Sequence, residues 1–498
     1  MTKFNKVRYS ELLDRVEISI ENFSALSNPV DMTFRFDAEH YQKKYKVINK
    51  ILLSKAHTTL GQLLKKPVTT GSTPSMQVEE FYGGDIPFIK TDNLRENRII
   101  ENFSDYLTVE GSKKLSGSAL SNQDILVTII GATFEVVGRC AVVRTPMLPA
   151  HINQNIALLR VNSDLIDIEY LNIYLNTKYG RSSLYFHSRQ TEQVNLNCRE
   201  VERVLVPTFE RLSTAIRLVV ERAVLLESES KNAYLQAEQM LLNAIDLADF
   251  KFDTNTINIK KFSESFKLSG RLDSEYYQPK YEALESWVTR QDVACTIISN
   301  EFDLIKTKKV LSEVSYDYIE IGDVDTSTGS ALSNKVQTVD LPVNAKIASK
   351  IGDILISTVR PNRGAIAVLD CDDEKLVVSS AFTVLRKKVD ANFLPETLKV
   401  LLRSPTYRAW LLKFNVGTQY PVINDEDILS LPIPLVSEEI HKAISEFEKK
   451  SASSRSISNK LFSFAIQAVE LAIEDSEDEA LKFLLEATLE LMNDSEPN

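Results

Sequence analysis

The side chains with the most distinctive chemistry lie in a short loop, Arg360-Pro361-Asn362-Arg363. Two guanidinium groups and one amide form hydrogen bonds, so they suit contacts to phosphates or base edges rather than bond making. The loop follows an apolar, β-branched run, Asp353–Ser357, which predicts a buried strand before it. Pro361 restricts the loop further. The alternative interpretation is a solvated basic turn.

No motif for bond-making chemistry is found in the sequence. There is no Gly-rich loop to hold S-adenosylmethionine or a dinucleotide, and no Walker, HExxH, GxSxG or Asn-Pro-Pro-Tyr motif. The run Asp372-Asp373-Glu374-Lys375 superficially resembles a nuclease cluster, but its place between two predicted strands favours a solvated turn. The four cysteines and five histidines show no metal-ligand spacing. We therefore expect no catalytic residue, no metal site and no cofactor bound by this chain.

The negative charge of the chain is concentrated at one end. The net charge is −11 over 498 residues, and the stretch 470–498 holds ten acidic residues and one lysine. This leaves the body near neutral, so basic faces can exist on it. We interpret the acidic end as a solvated helix face, with DNA mimicry or partner docking as the alternative. No apolar leader or membrane-spanning window is found, which predicts a cytoplasmic location.

An internal duplication organises the chain. Arg35–Tyr45 reads RFDAEHYQKKY and Arg271–Tyr281 reads RLDSEYYQPKY, with seven of eleven positions identical. Further along, Asp124–Thr128 matches Asp353–Ser357, and each is a buried-strand pattern. Helical patterns then follow in both halves. The repeat predicts two similar α+β domains in tandem.

A long helical pattern with a heptad repeat follows each domain. In the first, the two seam positions are occupied by Leu212, Val219, Leu226, Ala233, Met240 and Leu247, and by Ile216, Ala223, Ser230, Ala237 and Ala244. In the second, they are occupied by Ile440, Phe447, Ser454, Leu461 and Ala468, and by Ile444, Ser451, Ser458, Ala465 and Ala472. The small residues predict that the two helices pack on each other as an antiparallel coiled coil with internal pseudo-two-fold symmetry. Helices that merely cap their own domains are the alternative.

Two similar domains joined by helical spacers suit a target with two half-sites at a fixed separation, as in dimeric DNA-binding proteins. Because the halves differ in sequence, each domain could recognise a different half-site. The alternative is a two-domain scaffold that binds only proteins, with the helices as a docking platform.

The chain resembles the specificity subunits of type I restriction-modification systems, from about Arg35 to about Ile473. The resemblance rests on the duplicated R-x-D-x-E-x-Y-Q opening and on four further motifs, which are Gly71-Ser72-Thr73-Pro74, Tyr82-Gly83-Gly84-Asp85-Ile86-Pro87-Phe88-Ile89, Asp124-Ile125-Leu126-Val127 and Ile152-Asn153-Gln154-Asn155.

This resemblance implies a non-catalytic subunit with two target-recognition domains and a bipartite double-stranded DNA target. It also implies assembly with two adenine methyltransferase subunits and with restriction/translocase subunits, or with a fused methylase-nuclease. S-adenosylmethionine, ATP and Mg would then be bound by those partners, and no membrane is involved. The sequence departs from the family in its first 34 residues, in its long acidic end, and in a second half without clear Gly-Ser-Thr-Pro or Asn-Gln-Asn motifs.

The resulting domain prediction has seven parts: an N-terminal extension (1–34), target-recognition domain 1 (35–208), spacer helix 1 (209–247), a linker (248–270), target-recognition domain 2 (271–436), spacer helix 2 (437–473) and an acidic C-terminal helix or tail (474–498). The candidate DNA-binding residues are polar side chains in loops between predicted strands, because Arg and Lys bind phosphates or guanine and Asn and Gln bind adenine. They are Lys90, Asn93, Arg139, Asn153, Gln154, Asn155, Gln190 and Gln193 in the first domain, and Arg360, Asn362, Arg363, Gln419 and Tyr420 in the second. For the triplet Asn153-Gln154-Asn155, a turn held by side-chain to backbone bonds is the alternative.

Overall fold

A computed structural model describes residues 38–75, 78–101, 103–131, 136–190, 194–370, 374–416 and 420–493. The chain forms two compact units: unit 1 comprises Met1–Leu225 with Ile457–Asn498, and unit 2 comprises Leu226–Ser456. The division falls inside the two long helices, so each unit contains one repeat and part of both helices. Three residues of the first repeat opening, Arg35, Phe36 and Asp37, lie outside the described residues.

Unit 1 begins with a helix and continues into a strand-rich middle. Its strands are β1 (His57–Thr59), β2 (Thr69–Thr70), β3 (Tyr82–Ile89), β4 (Leu94–Arg95), β5 (Arg98–Ile99), β6 (Tyr106–Leu107), β7 (Ile125–Thr128), β8 (Ile130–Gly131), β9 (Cys140–Val142), β10 (His151–Ile152), β11 (Ile156–Leu159), β12 (Arg189–Gln190), β13 (Val194–Asn195) and β14 (Leu205–Pro207). Its helices are α1 (Lys43–Leu53), α2 (Val109–Lys114), α3 (Ile168–Asn176), α4 (Lys178–His187), α5 (Cys198–Glu202) and the first part of α6 (Glu210–Ala244).

The strands of unit 1 form a four-stranded sheet, β2-β11-β7-β9, and a three-stranded sheet, β10-β3-β6. In the second sheet β10 runs parallel to β3, with Ile152 opposite Ile89. Buried apolar side chains of both sheets form one core that includes Leu126, Leu158 and Ile152. Because all four residues of β7 are buried, the apolar run predicted as a strand forms the centre of the first sheet.

Unit 2 repeats this order of elements. Its strands are β15 (Cys295–Ile297), β16 (Phe302–Leu304), β17 (Ser315–Ile319), β18 (Val324–Asp325), β19 (Ser330–Ala331), β20 (Asn334–Gln337), β21 (Ala345–Ala348), β22 (Ile354–Ser357), β23 (Ile366–Val368), β24 (Leu376–Ser379), β25 (Phe382–Lys387) and β26 (Pro432–Pro434). Its helices are α7 (Phe266–Ser269), α8 (Pro279–Val288), α9 (Ile298–Glu301), α10 (Pro395–Arg403), α11 (Pro405–Leu411), α12 (Asp425–Leu429) and the first part of α13 (Glu438–Glu474). The sheets are β16-β25-β22-β23 and β20-β17-β24-β21, and β17 runs parallel to β24.

A buried ion pair recurs at equivalent positions of the two units. In unit 1, Asp124 is 4% exposed, and its Oδ1 lies 3.4 Å from Nε of Arg160. In unit 2, Asp353 is fully buried and accepts bonds of 2.7 and 2.8 Å from Nε and Nη2 of Arg386. The carboxylate comes just before β7 or β22, and the arginine follows or ends the antiparallel partner strand. A buried carboxylate needs such a partner, so the pair fixes the register of the two strands.

The two long helices pack antiparallel within each unit. In unit 1, the Ser458 hydroxyl of α13 donates to the Ala223 carbonyl of α6 at 2.8 Å, and the Leu212 N–H at the start of α6 donates to Glu477, just beyond the end of α13, at 2.9 Å. In unit 2, the hydroxyls of Ser230 and Ser451 are 3.0 Å apart. The predicted seam position of Ile216, Ala223, Ser230 and Ala237 is fully buried. The α+β fold class with two antiparallel long helices is thereby confirmed.

The predicted seam of α6 needs correction at both positions. In the series that begins at Leu212, Val219 and Met240 are only half-buried, whereas Val220, Tyr234 and Leu241, outside that series, are buried. In the series that begins at Ile216, Ala244 is exposed, and the helix ends there, before Leu247. The difference arises because α6 packs against its own unit as well as against α13: Tyr234 and Leu241 belong to the same buried cluster as residues of α10 and α11.

The acidic end of the chain forms a helix, α14 (Glu477–Asn493), which packs back on unit 1. Its buried face contains Ala480 and Leu484, and the rings of Phe483 and Phe464 meet edge to face. Glu477 and Asp478 also bond Arg211 at the start of α6. The acidic residues therefore include specific partners of α6 as well as the solvated side chains that we predicted.

We expect Ser230→Leu to destabilise the protein by about 1–3 kcal/mol, because an extra side chain must enter a fully buried helix contact. The measurement is urea unfolding followed by circular dichroism. The matched control is the double variant Ser230→Ala/Ser451→Ala, which removes both hydroxyls together and should cost less than about 1 kcal/mol. Equal stability of Ser230→Leu and the parent would show that this contact is not tightly packed.

Candidate nucleic-acid interface

A row of loops in unit 1 is joined by backbone hydrogen bonds at one edge of the sheets. The Leu196 N–H donates to the Ile129 carbonyl, and the Ile129 N–H donates to the Asn155 carbonyl, at 2.9 and 3.0 Å. The Asn153 N–H then donates to the Ile89 carbonyl at 3.2 Å. We call residues 71–75, 89–90, 129–131, 153–155, 189–190 and 194–196 the loop edge of unit 1. It brings together segments that are far apart in the sequence.

The loop edge of unit 2 has two of these three connections and one further bond. The Ile423 N–H donates to the Thr358 carbonyl, and the Thr358 N–H donates to the Ala381 carbonyl, both at 3.0 Å. The Arg360 N–H donates to the Pro421 carbonyl at 2.7 Å. We define this edge as residues 319–320, 358–364, 379–381 and 420–423. The duplication has thus preserved the backbone frame of the edge, although the loop sequences differ.

The candidate residues of unit 2 lie together on this frame. Arg360 and Asn362 are exposed, and Arg363 is half-buried at the end of a short 3-10 turn, Pro361–Arg363. The Arg360 guanidinium lies 5.4 Å from the centre of the Tyr420 ring, which is itself exposed. Among the described residues, no ion pair neutralises Arg360 or Arg363. A cationic and aromatic surface of this kind can bind phosphates and stack against or bond to base edges.

Arg360 has a strained backbone. Its φ is 50°, in the left-handed region that side chains with a Cβ disfavour by about 1–2 kcal/mol. The backbone bond to Pro421 holds it there. Strain of this sort persists where the surrounding structure fixes it and is common at functional sites. In this backbone conformation the Arg360 guanidinium lies on the ring of Tyr420.

The loop edge of unit 1 is less positively charged. Lys90 makes an ion pair with Asp105 and lies 5.9 Å from the Phe88 ring centre. Burial alone would raise the pKa of Asp105, but its bonds from Lys90 and Ser104 hold it below its usual value. The charge of Lys90 is therefore largely neutralised by its partner. Gln154 is exposed and accepts a bond from the Thr73 hydroxyl.

Two asparagines of the candidate set prove to be structural. Asn93 is 2% exposed; its Oδ1 accepts from the Lys90 N–H at 2.9 Å and its Nδ2 donates to the Ile100 carbonyl at 3.2 Å. Asn153 is 7% exposed, and its Oδ1 accepts from the Asn155 N–H at 3.2 Å. These bonds engage side-chain groups in local turns, which is the alternative interpretation given for the Asn153-Gln154-Asn155 triplet. Contact of the two residues with DNA stays a prediction.

The other candidates are placed as follows. Asn155 is half-buried, and its carbonyl accepts the Ile129 N–H. Arg139 is half-buried, and its carbonyl accepts the Thr128 N–H, which places it beside the loop edge. Gln190 is in β12, opposite Val194, within the loop edge. Gln193, Gln419 and the acidic pair Asp372-Asp373 lie outside the described residues.

The Gly71-Ser72-Thr73-Pro74 loop has no residue in the list of candidate DNA-binding residues, yet it forms part of the loop edge. A Cβ on Gly71 would lie 1.8 Å from the Ile152 carbonyl oxygen, so only glycine fits there. The Pro74 carbonyl accepts a bond of 2.8 Å from the Tyr82 hydroxyl. These contacts bring three of the motifs that carry the family resemblance into one place. The signal in the sequence was the glycine itself, since a close backbone approach requires it.

The described part of the chain contains no cluster of three His, Cys, Asp or Glu side chains that could hold a metal ion. In the same residues, no helix combines the length and apolar character needed to cross a membrane.

The chain is similar in sequence to a known protein. The Type I restriction enzyme HindI specificity subunit of Haemophilus influenzae is 31% identical to this chain over 157 residues, which is 31% of each protein. The resemblance found in the motifs is confirmed. The match spans about a third of the length of that relative. No family model matches the chain.

Two solved structures are also similar. A type I restriction-modification S subunit from M. genitalium has a TM-score of 0.37 and 12% identity, covering 86% of this chain and 95% of that protein. The HsdS subunit from Thermoanaerobacter tengcongensis has a TM-score of 0.27 and 13% identity, covering 84% of this chain and 96% of that protein.

We expect an acid-sensitive contribution to stability from Asp325, the last residue of β18. Burial alone would raise its pKa, but the Arg455 guanidinium and the Ser327 bonds hold the pKa below its usual 3.8. The ionised form is therefore favoured by folding, so the contribution is present above about pH 4 and disappears as the pH falls through the lower folded pKa. Asp325→Asn should cost about 2 kcal/mol at pH 7 and show a flatter loss of stability below pH 4.

The measurement is urea unfolding at a series of pH values from 7 to 3. Asp303→Asn is the matched control, because that carboxylate is 64% exposed and lies 3.9 Å from Lys388. It should change stability by less than about 0.5 kcal/mol at any pH. If Asp325→Asn behaves like this control, the Arg455 contact does not stabilise the turn.

Proposed function

We propose that this chain is the non-catalytic DNA-specificity subunit of a type I restriction-modification enzyme, and that the two loop edges bind the two halves of a bipartite double-stranded DNA target. The observation that carries the proposal is the duplicated loop edge, with an exposed guanidinium and amide cluster in unit 2. The printed name of the H. influenzae relative supports the class.

The chemistry of the unit 2 edge fits base recognition. Arg360 and Arg363 can each donate two bonds to guanine, and Asn362 can bond adenine. The loop is held between the fully buried strand β22 and the 420–423 segment. Rigid support matters because base readout needs side chains in fixed positions. The unit 1 edge offers amides, with Gln154 exposed and Lys90 partly neutralised, so we propose that it contributes different base contacts.

Catalysis belongs to the partners under this proposal. Two adenine methyltransferase subunits would bind S-adenosylmethionine, and restriction/translocase subunits would use ATP and Mg. We propose no cofactor for this chain itself. The assembled enzyme would work in the cytoplasm on invading DNA, as expected of a restriction system that acts in phage defence.

We predict that Arg363→Ala relaxes recognition in one half-site and leaves the other intact, because a bidentate Arg–guanine pair gives about 1–3 kcal/mol of discrimination. Binding of the methyltransferase complex is measured on duplexes with single substitutions in each half-site, at two salt concentrations. A pure phosphate contact would instead weaken all sequences equally and reduce the salt dependence. Lys442→Ala, an exposed helix cation paired with Glu438, is the control. Parent-like discrimination by Arg363→Ala would identify the loop as a solvated turn.

We also predict that helix length sets the spacing of the half-sites. One heptad inserted after Ser230 and one before Ser451 would preserve the seam register and lengthen both helices by about 10 Å. That length corresponds to roughly three base pairs of duplex. Methylome sequencing of the assembled enzyme should show the same half-site sequences with a longer gap. An unchanged gap would contradict the role of the helices as spacers.

A further inference from the structure

We infer that two buried arginines, Arg403 in unit 2 and Arg181 in unit 1, are positioning residues that determine sequence discrimination in their own half-sites without touching DNA. This inference rests on the proposed function. It concerns side chains behind the loop edges, in the helices that follow each sheet.

Arg403 ties the recognition loop of unit 2 to two other elements. Its Nη1 donates to the Gly364 carbonyl at 2.8 Å, and its Nη2 donates to the Thr326 carbonyl at 3.0 Å. Its Nε donates to the Tyr234 hydroxyl of α6 at 2.8 Å, and its guanidinium lies 4.8 Å from that ring centre. The Arg403 guanidinium therefore bonds three separate elements: the recognition loop, the turn after β18, and α6. Since Gly364 ends the turn that begins at Arg360, the loop cannot shift without breaking these bonds.

Glycines make room for these arginines. Gly364 has a φ of 74°, and a Cβ there would lie 3.0 Å from Cδ of Arg408. Arg408 is in α11, the helix that follows Arg403. Gly329 has a φ of 68°, and a Cβ there would lie 3.0 Å from Cδ and Nε of Arg403 itself. The turn between β18 and β19 and the loop after β22 are therefore both shaped around guanidinium groups.

Unit 1 has reached the same arrangement from a different helical position. Arg181 in α4 donates to Glu96, in the turn between β4 and β5, at 3.0 Å. Its Nε lies 3.1 Å from where a Cβ on Gly138 would be, and Gly138 has a φ of 84°. Gly138 precedes β9 as Gly364 precedes β23. Each unit therefore has a buried arginine that bonds a hairpin turn and lies against the glycine turn that follows the central buried strand; in unit 2 the arginine also bonds that glycine turn.

Burial separates these residues from the DNA. Arg403 is 6% exposed and donates to the Gly364 carbonyl, and Arg181 is 4% exposed and donates to Glu96. Neither can reach a base edge. Their effect on recognition must therefore pass through the turns that they hold, which makes the expected defect specific to one half-site. General loss of stability would affect both half-sites alike.

The test compares Arg403→Met and Arg181→Met, assembled as full-length chains with the methyltransferase subunits. Methionine retains much of the buried volume and removes the hydrogen bonds. We expect Arg403→Met to reduce the affinity ratio between cognate and singly substituted duplexes roughly tenfold in one half-site. Arg181→Met should do the same in the other half-site only. Arg290→Met, which removes a unit 2 arginine that bonds Asp246 and lies on Trp287, should preserve both ratios.

A second variant covers the case in which Arg403→Met folds poorly. Tyr234→Phe keeps the ring and removes only the hydroxyl that accepts from Arg403; it should lower discrimination about two- to threefold in the same half-site as Arg403→Met. Reciprocal, half-site-specific losses support the inference. Equal losses in both half-sites, or no loss from either variant, overturn it and leave the proposed function standing. A parent complex with no sequence preference in either half-site overturns both.

Discussion

Close approach of the two long helices is the constraint on which the rest of the structure depends. It is possible because the contact positions carry alanine and serine: Ala223 and Ser458 meet in unit 1, and Ser230 and Ser451 meet in unit 2. A small side chain lets the backbones approach, the Ser458 hydroxyl donates to the other helix, and Ser230 and Ser451 share one hydrogen bond between the helices. Larger apolar residues would strengthen an isolated coiled coil but would separate the helices. The seam therefore favours this one pairing over self-association in other registers.

The two units share the ion pairs and backbone bonds that support their loop edges, but the side chains on those edges differ. The buried pairs Asp124–Arg160 and Asp353–Arg386 and the bonded loop segments recur in both units. The charge on the two loop edges does not recur, since Lys90 is paired with Asp105 whereas Arg360 lies on Tyr420 without a carboxylate partner among the described residues. A frame built from backbone bonds and buried ion pairs tolerates this, because it does not depend on which loop side chains it presents.

The fold could be predicted from the sequence because the repeat and the heptads are periodic signals. The interface could be predicted only in part. Arg360 and Tyr420 were both expected there, and they meet. Burial of Asn93 and Asn153 could not be predicted, because an asparagine that closes a turn has the same local sequence signature as one that binds a base. Arg403 was missed because its partners lie 39, 77 and 169 residues away, and no local pattern encodes such contacts.

The two units differ in how continuous their chains are. Unit 2 is a single stretch, Leu226–Ser456, whereas unit 1 is assembled from both ends of the chain. The Leu212 N–H bonds Glu477, 265 residues later, so the start of α6 gains this partner only after α14 has been synthesised. Domains usually fold in the order of their synthesis. Here the second repeat can complete its core before the first does, because unit 1 also needs the residues from Ile457 onward, and a nascent chain that stalls before α14 would leave the start of α6 without this partner.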